Sequence, residues 1–191
     1  MIDTQGKLLV APPNMTDWRF QKSVVYIWKH DVSGAAGCII NKRVKNPTWQ
    51  HICNEGGVPL KSDIQHPTWY GGPVLSNLIG VLHTPDYAGP QTNGMADSCR
   101  FTLDRKILVD IADNKGPEQF MITIGLSNWE ANQLDAELEA VPPRPSTMSW
   151  LVLDYDKNLV FGKKESDFWE MCVSRAVANK TSELTNKIFK N

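Results

Sequence analysis

The feature that most constrains the fold is the run from Ser23 to His30. Its centre, Val24-Val25-Tyr26-Ile27-Trp28, is β-branched and aromatic and reads as a strand. Turn residues follow in Asp31-Val32-Ser33-Gly34, and Ala36 to Asn41 returns as another strand. The chain therefore predicts a β-hairpin early on, and a sheet that the rest must cover.

Shorter strands are expected at Leu8–Val10, Thr68–Gly71, Gly80–His83 and Gln119–Gly125. A second hairpin is expected from Met148–Asp154 and Leu159–Phe161, turning at Tyr155-Asp156-Lys157-Asn158. Helices fall between them. Asn46 and Pro47 can start one that Gly56-Gly57 ends. Thr102 can cap a second, whose stripe Leu103, Ile107, Leu108, Ile111 and Ala112 has helical period up to Gly116-Pro117. Ser127 and Glu130 have capping-box spacing ahead of Ala131, Leu134 and Leu138, with a break at Pro142-Pro143. A last helix from about Asp167 buries Phe168, Cys172 and Ala176. The stretch from Thr84 to Ser98, rich in Pro, Gly, Asn and Asp, reads as an exposed loop and as the boundary between sub-parts.

Hairpins and strand–helix–strand passages together predict an α/β (α+β-like) fold: one compact domain, with a mixed β-sheet flanked by helices and a subsidiary layer. Its expected extent is residues 1–180, with a polar tail at 181–191. The length of 191 residues suits one domain, and 41% hydrophobic against 21% charged residues excludes disorder as the default. The net charge is −1, with 8 basic and 6 acidic residues up to position 95 and 12 and 15 after it. Neither half has the one-signed field that draws a protein onto nucleic acid or a membrane. No apolar run reaches spanning length and no secretory leader is visible, so a cytoplasmic location is expected. Cys38, Cys53, Cys99 and Cys172 form no CxxC pair and read as reduced, buried thiols.

Four segments, taken in order, resemble the AlgH/YqgE family of small bacterial proteins. They are Gly6–Ala11 with Pro13 and Asn14; Phe20–Asn41 with Ser23-Val24, His30 and Gly34-Ala35; Tyr70–Val74 leading to Val81-Leu82-His83; and Gly125 through Trp129 to Gln133-Leu134. The resemblance runs from Gly6 to about Val177. It implies a single α/β fold with a mixed sheet and a label as transcriptional regulator, with no established activity or cofactor. The chain departs from the family pattern at Asn128, Glu130 and Asp135.

Catalytic arrangements fail one by one. Gly125-Leu126-Ser127-Asn128-Trp129 approaches a nucleophile elbow, but Trp129 stands where a small residue is needed and no histidine follows Ser127. His51, Cys53, His66 and His83 lack metal-ligand spacing, and no cofactor is expected. Gly71-Gly72-Pro73 could let a backbone approach a ligand or could be a tight turn; it is neither a P-loop nor a dinucleotide fingerprint. Trp129 and Gln133, four apart, would share a helix face. Lys42-Arg43 with Lys45, and Lys163-Lys164, are too short for a nucleic-acid footprint and read as solvated surface.

The reading is a non-enzymatic binding module, a regulator or adaptor acting on a protein partner or small ligand, with direct nucleic-acid binding disfavoured. The candidate surface is His30, Asn41, Gly71, Gly72, His83, Trp129 and Gln133. The alternative is an enzyme on a small anionic or nucleotide substrate, using the Gly71-Gly72 loop as a cradle and His83 as acid/base.

Overall fold

Strand β2 (Val24–Asp31) is buried on both faces from Val24 to Trp28, which is why that run shows no polar alternation, and only its end alternates, with Lys29 and Asp31 exposed. Val24, Tyr26 and Trp28 enter one core cluster, while Val25 and Ile27 enter another. Its neighbours β1 (Leu8–Val10) and β3 (Gly34–Ile39) divide the same way: Leu8, Val10 and Cys38 lie on one side, Leu9 and Ile39 on the other. Full burial of side chains such as Leu8 or Ile27 stabilises the fold by about 1.5–3 kcal/mol each. These contacts belong to a computed structural model that describes residues 3–61, 63–95, 97–139 and 149–189.

The chain continues through β4 (Arg43–Val44), α1 (Trp49–Glu55), β5 (Thr68–Tyr70), β6 (Val74–His83), β7 (Thr92–Gly94), β8 (Arg100–Thr102) and α2 (Lys106–Ala112). It ends with β9 (Phe120–Trp129), α3 (Gln133–Glu139), β10 (Leu151–Leu153), α4 (Lys157–Phe161) and α5 (Phe168–Phe189). The ten strands form one curled sheet in the order β10-β1-β2-β3-β9-β6-β8-β7, with the antiparallel β4–β5 pair joined through β5. Every pairing is antiparallel except β5 with β9. The sheet is therefore mixed, as expected, through a single parallel ladder. Helices α4 and α5 cover one face with Leu159, Val160, Phe168, Cys172 and Ala176. Helices α1 and α2 pack on β6 and β9, and α3 packs on β2 and β3.

Strand β9 is the spine. Its first half pairs with β5 and β6, its last three residues pair with β3, and Gly125 sits at the joint with φ +71°. Gly71 and Gly72 cross this joint backbone on backbone. A Cβ at Gly71 would lie 2.2 Å from the Gly125 carbonyl oxygen, and one at Gly72 (φ +150°) would lie 2.4 Å from the Leu126 carbonyl. Gly71 donates its N–H to Ile124, accepts from the Ile39 N–H, and accepts the Ser127 hydroxyl at 3.1 Å. The close approach anticipated for the Gly71-Gly72 loop is thus made to the protein's own strand.

Several local expectations give way to tertiary contacts. Ser127 caps no helix: β9 runs on to Trp129, because the hydroxyl finds its partner across the sheet. Gln133 instead folds back onto the Glu130 N–H and starts α3. Trp129 and Gln133 accordingly share no helix. Thr102 is a strand residue of β8, and the Asp104 carboxylate accepts the Lys106 N–H beyond it. Thr48, not Asn46, caps α1. Leu159–Phe161 is helical because Asp156 caps Lys157–Phe161, so β10 pairs with β1 rather than with this segment. The expected loop at 84–98 contains β7, which pairs with β8. Helix α5 runs through Phe189, into the stretch read as a polar tail. The Pro142-Pro143 break and Met148 lie outside the described residues.

Gly72→Ala forces a side chain into the β9 backbone at a φ that L residues rarely adopt. It should cost at least about 2 kcal/mol, a fall in melting temperature of roughly 4–8 °C. An unchanged thermal unfolding curve would contradict the crossing.

Candidate functional site

The seven expected site residues do not share one surface. Gly71 and Gly72 are buried in the crossing. His83, at the end of β6, is 0% exposed. Its Nδ1 donates to the Thr84 carbonyl at 2.7 Å, which makes Nε2 the acceptor for the Thr102 hydroxyl at 2.9 Å. Thr102 in turn meets the Thr92 hydroxyl at 2.7 Å, so the imidazole is the end of a hydrogen-bond chain knitting β6, β7 and β8. Burial lowers its pKa from the ordinary histidine value.

His30, Trp129 and Gln133 do converge, around α3. His30 Nδ1 is 2.7 Å from the Thr4 hydroxyl, and its Nε2 faces Asp135 Oδ2 at 3.5 Å. This Thr–His–Asp alignment resembles a catalytic relay, but Thr4 is fully buried and no substrate can reach it. Trp129 is 3% exposed, with its indole N–H on Glu137 Oε2 at 3.1 Å. Trp150 donates to the same oxygen at 2.8 Å, and Gln133 donates to Oε1 at 3.0 Å. Phe20 packs on both indoles, with ring centroids 6.1 and 5.6 Å away. The buried Glu137 carboxylate thus gathers α3, β9 and the approach to β10 into one knot. Among the described residues, no three His, Cys, Asp or Glu side chains come together to hold a metal ion.

Asn41 leads elsewhere. Its amide clamps the chain at the β2–β3 end, accepting from the Val24 N–H at 2.8 Å and donating to the Lys22 carbonyl at 2.8 Å. It thereby borders a cleft of about 390 Å³ between β4–β5 and the start of α5. Four cations line this cleft, Lys22, Lys42, Arg43 and Lys164, against the carboxylates of Glu165 and Glu170. Lys22 pairs with Glu170 at 3.2 Å, and Glu165 pairs with Lys163 at 2.7 Å. Among the described residues, Arg43 and Lys164 show no ion pair with a carboxylate, while Lys42 lies in the field of Asp17.

The walls of the cleft are aromatic. The Arg43 guanidinium lies 5.7 Å and the Lys164 ammonium 5.6 Å from the Trp69 ring centroid, while Lys22 lies 5.4 Å from that of Trp169. Arg43 and Trp69 are direct partners in the β4–β5 ladder, and Trp169 is fixed by its indole N–H on the Ala11 carbonyl at 2.9 Å. Burial lowers the Lys42 pKa, against the field of Asp17, and pulls Lys164 down to about 8. A second, larger cavity of about 590 Å³ opens beside α1. Its one cation, Arg105, is turned onto the carbonyls of Gly56 and Gly57.

The fold has known relatives. The family model described as DUF179, AlgH-like, matches residues 8–180. The chain belongs to the AlgH-like family. A UPF0301 protein of Ruegeria pomeroyi is 36% identical over 172 residues, spanning 88% of this chain and 89% of that one. One from Jannaschia sp. is 35% identical, spanning 90% and 87%. The solution structure of the AlgH protein from Pseudomonas aeruginosa superposes with a TM-score of 0.70 at 26% identity, covering 92% of both chains. A Corynebacterium diphtheriae protein shares the fold alone, at 20% identity and a TM-score of 0.66.

In this AlgH-like chain, the cleft was hidden by sequence distance. Lys42-Arg43 and Lys163-Lys164 each look like solvated surface until β5 places Trp69 between them. The only local signal was an aromatic residue two positions before Gly71-Gly72, a pair that fixes the strand it ends.

Buried neutral His83 also sets a pH dependence. In the unfolded chain it takes a proton near pH 6.5, and in the folded state only at lower pH, so stability falls as pH drops below about 6.5. His66, whose pKa burial also lowers, acts with the same sign. Denaturant midpoints should therefore drop between pH 7.5 and 5.5, and His83→Asn should flatten that drop while lowering stability at both values. An unaltered slope in the variant would contradict this assignment.

Proposed function

We propose that this AlgH-like chain is a cytoplasmic binding module, a regulator or adaptor, whose ligand is a small organic anion with a planar group. The observation that carries the reading is the meeting of Arg43 and Lys164 over Trp69, with Lys42 lining the same cleft and no carboxylate paired with Arg43 or Lys164 among the described residues. Cations gathered on a concave wall without a full counter-charge favour a bound anion, most of all the half-buried Lys164, whereas Arg43 is exposed. Guanidinium and ammonium donors suit phosphate or carboxylate oxygens, and an indole wall suits a flat ring. Three such cations on a concave site match one compact ligand better than a nucleic-acid backbone, which needs a longer row of contacts. No described helix is long and apolar enough to cross a membrane, and the four free cysteines are all buried. The enzyme alternative loses its parts here, because the Gly71-Gly72 loop is filled by β9 and both His83 nitrogens are engaged.

A thermal-shift and calorimetric titration with inorganic phosphate and adenosine 5′-monophosphate tests the reading. At 100 times its dissociation constant a ligand stabilises the fold by about 2.7 kcal/mol, a rise of roughly 5–11 °C. Arg43→Ala should weaken binding about tenfold or more, by loss of a charged hydrogen bond. Binding should also weaken as pH rises through about 8, where Lys164 loses its proton. Absence of any shift with either probe, or full binding by Arg43→Ala, would contradict the proposal.

A further inference from the structure

Lys164 differs from the other cleft cations in how its amine is held. Lys22 is committed to Glu170, and Lys42 donates to the Arg19 carbonyl at 2.9 Å. The Lys164 Nζ instead sits on the last turn of α4, donating to the carbonyls of Val160 and Gly162. Two of its three N–H directions are thereby taken. Among the described residues no further hydrogen bond occupies the third tetrahedral position, which the lone pair takes once a proton leaves, and the residue lines the cleft. The Trp69 and Phe168 rings flank it, each with its centroid 5.6 Å from Nζ. The charged or titratable groups around it are Lys22, Lys42, Arg43, Glu165 and Glu170 in the cleft and the Cys99 and Cys172 thiols beneath. None of the carboxylates is in ion-pair contact with it.

Resting on the anion-binding reading, we infer that the cleft takes a phosphorylated or carboxylated aldehyde or ketone, which Lys164 captures reversibly as a Schiff base. The neutral amine lone pair adds to the carbonyl carbon, and one N–H proton passes from nitrogen to the carbonyl oxygen to give a carbinolamine. The hydroxyl then leaves with the remaining N–H proton as one water molecule, which forms the C=N bond. No oxidant or reductant is consumed. Lys42 and Arg43 hold the anionic end, and the two rings shield the imine from water. Burial leaves about a tenth of the amine unprotonated at pH 7, since its pKa falls to about 8.

The test uses pyridoxal 5′-phosphate as probe, an aldehyde with a ring and a phosphate, followed by borohydride reduction and peptide mass spectrometry on the full chain. The expected result is an adduct at Lys164 at ten or more times the occupancy of any other lysine. It should be absent in Lys164→Arg and reduced about tenfold when pyridoxal, lacking the phosphate, replaces the probe. Inorganic phosphate binding by the unaltered protein is measured alongside. Adducts spread evenly over the exposed lysines, with phosphate still bound, would overturn the Schiff-base inference and leave the anion site standing. Even adducts with no phosphate binding would overturn both.

Discussion

The structure depends on one close backbone crossing. Gly71 and Gly72 pass over β9 where Gly125 bends it, at separations that leave no room for a Cβ on either chain. Gly71 is hydrogen-bonded at once to β3, through Ile39, and to β9, through Ile124 and Ser127. That weld lets β9 serve two sheet halves, with β3 beside its end and β5 and β6 beside its beginning. Without the glycines the parallel β5–β9 ladder could not approach, and β5 would have no place in the sheet.

The cleft follows from this weld. Trp69 lies just before the crossing, so its position is set by the parallel ladder, and Arg43 is set by pairing with Trp69. Asn41 fixes the turn between β3 and β4 by closing both of its amide bonds on the β2 side. Opposite, the α4–α5 turn is anchored through Phe168 in the core and through Trp169 on the Ala11 carbonyl. Cations that would repel one another on a flexible surface are thus held together by elements fixed for other reasons. The knot of Trp129, Trp150 and Gln133 on Glu137 and the His83 chain have the opposite character. Their polar groups are satisfied internally, and they hold α3 and the β6–β8 edge in place.

How much of this was legible in the sequence depended on how local the cause was. The β2–β3 hairpin, β1 and the start of α5 were readable because their apolar spacing and turn residues act within a few positions. The family resemblance was readable too, because it rested on an ordered set of such segments. Ser127 misled because its capping signal was local while its real partner, Gly71, lies on another strand. Leu159–Phe161 misled because three apolar residues suit a strand or a helix, and the Asp156 cap decided it. Among the site residues, Asn41 borders the cleft, whereas His83 and Trp129 are polar or aromatic groups whose partners are all inside. Polarity in the sequence cannot separate a satisfied buried group from a waiting one. The convergence of Arg43 and Lys164 on Trp69 had no local signature, since it needs the crossing, the parallel ladder and the α4–α5 turn together.

The seven tryptophans provide the most direct test of the central claim, that the crossing builds an anion cleft at Trp69 and Trp169 and not at the α3 knot. The measurement is a titration of the ¹⁵N-labelled protein with adenosine 5′-monophosphate, following the indole N–H resonances by NMR. The account predicts saturable shifts of the Trp69 and Trp169 signals, while Trp129 and Trp150, bonded to Glu137, stay in place. Saturable shifts centred on Trp129 and Trp150, or none at Trp69 and Trp169, would contradict it.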